Sequence, residues 1–111
     1  MFYAEIHEQD YCSGNAVQAS CASDEVVIAT NATYGRMRTN NCVKTDLGYL
    51  GCGTSVLQVL DKYCSGRQEC TMTVPNDELN DVTTGCFEEL KFYLRASYAC
   101  AKGNMHEIGW N

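Results

Sequence analysis

The chain has 111 residues, of which 14 are acidic and 8 basic, giving a formal net charge of −6. That length fits one domain, and the charge excludes nucleic-acid binding, because phosphate contact needs a basic face. A hydrophobic share of 45%, a single proline and no apolar run near the roughly 20 residues of a membrane span exclude disorder and membrane insertion.

The opening residues Met1 to Glu8 have neither a basic start nor an apolar stretch, so they do not read as a signal peptide. Residues 1–10 are expected to be an N-terminal extension. Val17, Ala19 and Cys21 alternate as a short strand, and Val26-Val27-Ile28 reads as a second. Gly48, Gly51 and Gly53 mark a loop around Cys52. Ser55-Val56-Leu57-Gln58 fits a capping box, with Ser55 as the cap and Gln58 reaching back. Val56, Val59, Leu60 and Tyr63 follow at helical spacing, and Gly66 stands where a left-handed helix end belongs. Cys70 to Val74 reads as a strand, and Asp77, Glu78 and Asp81 as a solvated acidic loop without calcium-loop spacing. From Leu90 to Cys100 the pattern alternates strictly, with Leu90, Phe92, Leu94, Ala96, Tyr98 and Cys100 on the apolar face. That spacing predicts a half-buried strand whose last cysteine points into the core. The fold class is mainly β with short helices, in one domain.

The eight cysteines are Cys12, Cys21, Cys42, Cys52, Cys64, Cys70, Cys86 and Cys100. None forms the close pair that zinc sites use, and His7 and His106 alone could add ligands, so no metal is expected. An even, dispersed set reads as a disulfide framework made in an oxidising compartment, hence a secreted or extracellular protein. Eight cysteines allow about 105 pairings, and counting does not choose among them.

No nucleophile sits beside a base in a recognisable motif, so an enzyme is not expected. Asn31-Ala32-Thr33 is a glycosylation sequon. Tyr34-Gly35-Arg36 follows an apolar run and is expected at or just after a strand end. Its glycine would permit a turn closed to other residues. A tyrosine ring beside a guanidinium suits a sugar, and it equally suits a turn whose tyrosine packs.

Ala32-Thr33-Tyr34-Gly35-Arg36, the eight cysteines and the closing Lys91-Phe92-Tyr93-Leu94-Arg95-Ala96-Ser97-Tyr98-Ala99-Cys100 together resemble the rhamnose- or galactose-binding lectin domain of the sea-urchin-egg-lectin type. That family's pattern includes A-N-Y-G-R and D-P-C-x-G-T-x-K-Y-L-x-V-x-Y-x-C. Cys64-Ser65-Gly66-Arg67-Gln68-Glu69-Cys70 is similar to its C-x-G-(K/R)-x-x-C segment. The resemblance covers residues 11–100 and leaves 101–111 as a C-terminal tail. It implies a disulfide-stapled antiparallel β-sandwich with bridges Cys12–Cys42, Cys21–Cys100, Cys52–Cys86 and Cys64–Cys70.

The resemblance also implies a sugar site, and there the chain departs from the family. Ser13 stands where the family has glutamate, and Thr84-Gly85-Cys86 replaces D-P-C. Charge-assisted hydrogen bonds contribute roughly 1.5–3 kcal/mol each, so two lost acceptors would cost about 3–6 kcal/mol. Carried over, Tyr34 supplies ring contact and a hydroxyl, Lys91 donates, and Asp81 or Glu88 is the candidate replacement acceptor. Gly35 and Arg36 support the loop. The expected partners are glycans with galactose- or rhamnose-like termini, bound without calcium or any cofactor. The alternative is a protein-interaction module on the same scaffold, its sugar site decayed and its partner a cell-surface protein. With every cysteine used internally, a monomer or non-covalent oligomer is expected.

Overall fold

The computed structural model describes residues 5–45, 50–82 and 92–103. They form β1 (His7–Cys12), β2 (Ala16–Ser20), β3 (Glu25–Arg36), β4 (Cys52–Ser55), α1 (Leu57–Cys64), β5 (Glu69–Thr73), α2 (Asp77–Val82) and β6 (Tyr93–Lys102). All pairings are antiparallel, in a four-stranded sheet ordered β1-β6-β3-β4 and a two-stranded sheet β2-β5. One core joins the two sheets. Val17, Ala19 and Met72 come from the small sheet, and Tyr11, Val27, Ala29, Ala32, Tyr34, Leu94 and Ala96 from the large one. Val59, Leu60 and Cys64 add one side of α1, Val56 joins them from the position before it, and Leu79 enters from α2.

The alternation from Leu94 to Cys100 holds, with Leu94 and Ala96 buried and Tyr98 packed on the core. The other face is not solvated as a half-buried strand would be. Tyr93, Ser97, Ala99 and Ala101 are also buried, because β6 is an inner strand between β1 and β3. Part of that face is covered by the chain after β3, where the Arg38 amide donates to the Tyr93 hydroxyl at 3.3 Å.

Strand β3 is longer than Val26-Val27-Ile28 suggests. Val27 and Ala29 face the core, then the register shifts between Ala29 and Asn31, and Ala32 and Tyr34 face the core in turn. The extra residue is a bulge, which lets one strand serve the core on both sides of a break in period. The Ala29 amide donates to Ser65 Oγ at 2.9 Å, and Ser65 Oγ donates to Asp61 Oδ1 at 2.6 Å. A buried amide that the ladder would leave orphaned is thereby satisfied. Two more backbone bonds lace β3 to the end of α1: Val27 N–H to the Arg67 carbonyl at 2.6 Å, and Gly66 N–H to the Val27 carbonyl at 2.8 Å.

Several local expectations change. Ser55 is no helix cap: it ends β4 opposite Thr33, and the helix begins after Val56 with no side-chain capping bond. Gly66 does take the positive φ, +85°. Cys52 lies in β4, not in a loop, and the acidic run Asp77–Asp81 is the helix α2. Strands β1 and β6 run past both ends of the 11–100 span, starting at His7 and ending at Lys102, so residues 7–10 belong to the sheet.

Three of the implied bridges are present among the described residues: Cys12–Cys42, Cys21–Cys100 and Cys64–Cys70. Cys52 is also disulfide-bonded. Its implied partner Cys86 lies outside the described residues.

Gly35 shows why one motif residue is glycine, and the reason is not a turn. It sits inside β3, and a Cβ there would meet the Cys52 carbonyl oxygen at 2.6 Å and Gly53 Cα at 2.7 Å. Both obstacles are backbone, so β4 would have to move away. Gly35→Ala is expected to cost about 1–3 kcal/mol, as overpacking does. Urea unfolding checks this, and unchanged stability would mean that β4 yields freely.

Candidate functional site

One end of the four-stranded sheet gathers the motif. Register places Cys12 opposite Tyr93, Tyr93 opposite Gly35, and Gly35 opposite Gly53, a row across all four strands. Ser13 follows Cys12 out of the sheet into an exposed turn, where Gly14 has φ +97°. Cys12 N–H donates to Asn15 Oδ1 at 3.0 Å, and Asn15 N–H returns to the Cys12 carbonyl at 2.9 Å. The same turn is laced to the chain entering α2: Gly14 N–H donates to the Val74 carbonyl at 2.8 Å, and Val74 N–H to the Asn15 carbonyl at 2.9 Å. The Val74–Pro75 peptide bond is cis.

Helix α2 is pinned from both sides. Asn76 Oδ1 accepts from the Leu79 amide at 2.8 Å, and Leu79 is fully buried. Glu78 accepts from Lys62 Nζ at 3.0 Å and from the Tyr63 hydroxyl at 2.9 Å, tying α2 to α1. Those two donors hold the Glu78 carboxyl below its ordinary pKa, and the same contacts raise those of Lys62 and Tyr63. Asp81, on the same helix, is exposed.

Tyr34 is only 4% exposed, one position before the row, and Phe92 meets its ring edge-on at 5.4 Å between centroids. Burial pushes its hydroxyl pKa up. The ring is therefore core, and its faces are taken by protein. Phe92 was visible in the sequence as an apolar-face residue of the last strand, but nothing there tied it to Tyr34. Arg36 is 3% exposed, and its Nη2 donates to the Thr45 carbonyl at 3.0 Å, joining the end of β3 to the following segment. The row and its lacing thus bring Ser13, Tyr34, Arg36 and the approach to α2 to one end. Lys91 and Glu88 lie outside the described residues. No group of three metal-ligating side chains occurs among the described residues. Nor is any helix among them long and apolar enough to cross a membrane.

The outer face of the same sheet carries a second polar cluster that the sequence did not announce. Asp10 and Arg95 are register partners on β1 and β6, and the guanidinium grips both carboxylate oxygens, at 2.8 and 3.1 Å. Asn40 Nδ2 adds a bond to Asp10 at 2.8 Å. The Arg95 bond holds the Asp10 carboxyl below its ordinary pKa against the opposing pull of burial, with Asn40 helping. A depressed folded pKa gives stability that is complete above the unfolded value and is lost as pH falls through the folded one. Asp10→Asn is therefore expected to be less stable than the parent at pH 7, with the gap closing below about pH 4. Unfolding curves at several pH values check this, and a gap independent of pH would exclude the ion pair as its source.

The family model described as the D-galactoside/L-rhamnose binding SUEL lectin domain matches residues 19–100. Over 100 residues the chain is 30% identical to the L-rhamnose-binding lectin ELEL-1 of Echinometra lucunter, covering 87% of this chain and 93% of that one. It is 25% identical over 104 residues to the D-galactoside-specific lectin of Heliocidaris crassispina, covering 86% and 91%. It is also 27% identical over 106 residues to Protein eva-1 homolog C of Homo sapiens. That alignment takes in 91% of this chain but only 23% of the relative, so the chain corresponds to one part of a longer protein there.

Proposed function

Because the chain belongs to the D-galactoside/L-rhamnose binding SUEL lectin domain family, we propose that it is a non-enzymatic lectin for terminal galactose- or rhamnose-like sugars. The observation that carries this reading is the family match over residues 19–100. The two sea-urchin relatives, named for rhamnose and galactoside binding, support the sugar class.

The site in this reading is the end of the sheet that gathers Ser13, Tyr34 and the approach to α2. Lys91 donates to ring hydroxyls, and Asp81 or Glu88 accepts in place of the family carboxylates. Ser13 adds a hydroxyl from its exposed turn. Gly35 and Arg36 hold the frame, the first by letting β4 approach and the second through Thr45. Tyr34 contributes its hydroxyl and stiffens the floor beneath the sugar, since its ring is committed to Phe92. No calcium or other cofactor takes part. The disulfides support an oxidising setting for the domain, secreted or extracellular in this reading.

A second reading has a specific observation behind it. A relative not named as a lectin, Protein eva-1 homolog C, contains a stretch equivalent to nearly the whole chain. With Ser13 in the glutamate position and the Tyr34 ring buried, a protein-interaction module on the lectin scaffold accounts for the same sequence.

A glycan array followed by calorimetric titration with galactose and rhamnose separates the two. The lectin reading expects array signals on galactose- or rhamnose-like termini and dissociation constants near 1 mM for the free sugars, about 4 kcal/mol. It also expects Lys91→Ala to abolish them. A correctly bridged protein silent on the array and in titration would leave the interaction module.

A further inference from the structure

A groove of about 820 Å³ is lined by residues of α1, of the segment that follows it and of the small sheet. Its volume is in the range of small-molecule sites. Gln18 and Thr71 are register partners on its floor, as are Ser20 and Glu69, and all four side chains are exposed. Lys62, Tyr63 and Arg67 line it as well. This is not the end of the molecule that gathers Ser13 and Tyr34. Ser20 and Glu69 lie beside the Cys21–Cys100 bridge, toward the far end of β6 from Tyr93.

The chemistry of the lining is selective. Lys62 is committed to Glu78 at 3.0 Å, and the same carboxylate holds the Tyr63 hydroxyl at 2.9 Å, which fixes the ring as part of the lining. Among the described residues no ion pair claims Arg67 or Glu69, so the groove keeps one cation and one anion of its own. An occupant of either sign gains one of them and meets the other as a like charge. A neutral polyol loses nothing. Adjacent sugar hydroxyls each donate and accept, and the planar, two-pronged groups here match that: the Arg67 guanidinium donates, the Glu69 carboxylate accepts, and the Gln18 carboxamide does both. The hydroxyls of Ser20 and Thr71 complete the floor, and the Tyr63 ring supplies an apolar edge.

We infer that this groove is a second saccharide subsite, taking an uncharged sugar residue, so that one domain holds two sugars at separate ends. The inference does not depend on the sheet-end site being correct.

Titrating ¹⁵N-labelled protein with L-rhamnose and with D-galactose, and following backbone amides, tests it. The expected result is saturable shifts at Gln18, Ser20 and residues 67–71 with at least one of the two sugars. Arg67→Ala combined with Glu69→Gln weakens that set at least ten-fold, while the remaining spectrum shows an intact fold. Shifts around residues 13–15, 34–36 and 92–94 report the sheet-end site in the same spectra, so each site stands or falls alone. No saturable shift in the groove with either sugar overturns the inference. So does a groove set that titrates equally in the double variant.

Discussion

Replacing Cys21 and Cys100 together by alanine is expected to lower stability by about 4–5 kcal/mol, the largest single loss any bridge here can give. The two residues are 79 positions apart, so the bridge removes the freedom of most of the chain in the unfolded state. Cys64–Cys70 spans only 6 positions, and on the same entropy scale its removal costs about 2 kcal/mol. For a chain of this size either loss is a large part of the total. The long bridge also joins the end of β6 to the residue after β2, one cross-link between the two sheets. Guanidinium unfolding of the two double variants checks the ranking. Equal losses would mean that strain or residual structure, not loop length, governs the contribution.

Tyr34→Ala carries the second large expectation. The ring is 4% exposed, part of the core and set against Phe92, so truncation should cost about 3–5 kcal/mol through lost burial and the cavity left behind. Any loss of sugar binding by that variant would then mix unfolding with chemistry. Tyr34→Phe keeps the ring and removes only the hydroxyl. It should unfold within about 1.5 kcal/mol of the parent, the worth of one hydrogen bond. If the hydroxyl touches sugar, Tyr34→Phe weakens binding while its thermal melt stays near that of the parent. Unchanged binding in Tyr34→Phe would reduce Tyr34 to a core residue and move the sugar contact to its neighbours.

What the sequence disclosed follows from which signals are local. The last strand was legible because Leu94, Ala96, Tyr98 and Cys100 keep a strict period of two, and the bridges because the cysteine set resembled a family. Strand β3 was half hidden, because the bulge between Ala29 and Asn31 breaks its period and leaves only the Val26–Ile28 run visible. Strand β1 was missed because only Tyr11 in its six residues is buried; the rest is an edge held by β6. Ser55 and Gln58 made a convincing cap on paper, yet Ser55 is occupied by pairing with Thr33, a partner 22 positions away that no window of sequence reveals. The sheet-end site was legible as a motif but not as an arrangement. Tyr34 reads as a sugar contact and Arg36 as a support for its loop, and the structure buries both.

Strands β1 and β6 pair antiparallel, with His7 opposite Tyr98 and Cys12 opposite Tyr93. The described chain therefore enters near where it leaves, and both points lie at the opposite end of the sheet from Ser13 and Tyr34. A domain wired in this way is tethered through the β1-β6-β3 end of its sheet, with its motif-bearing end facing away from that attachment. Copies strung in tandem, or one copy mounted on a larger body, would all present that end without their tethers crossing it.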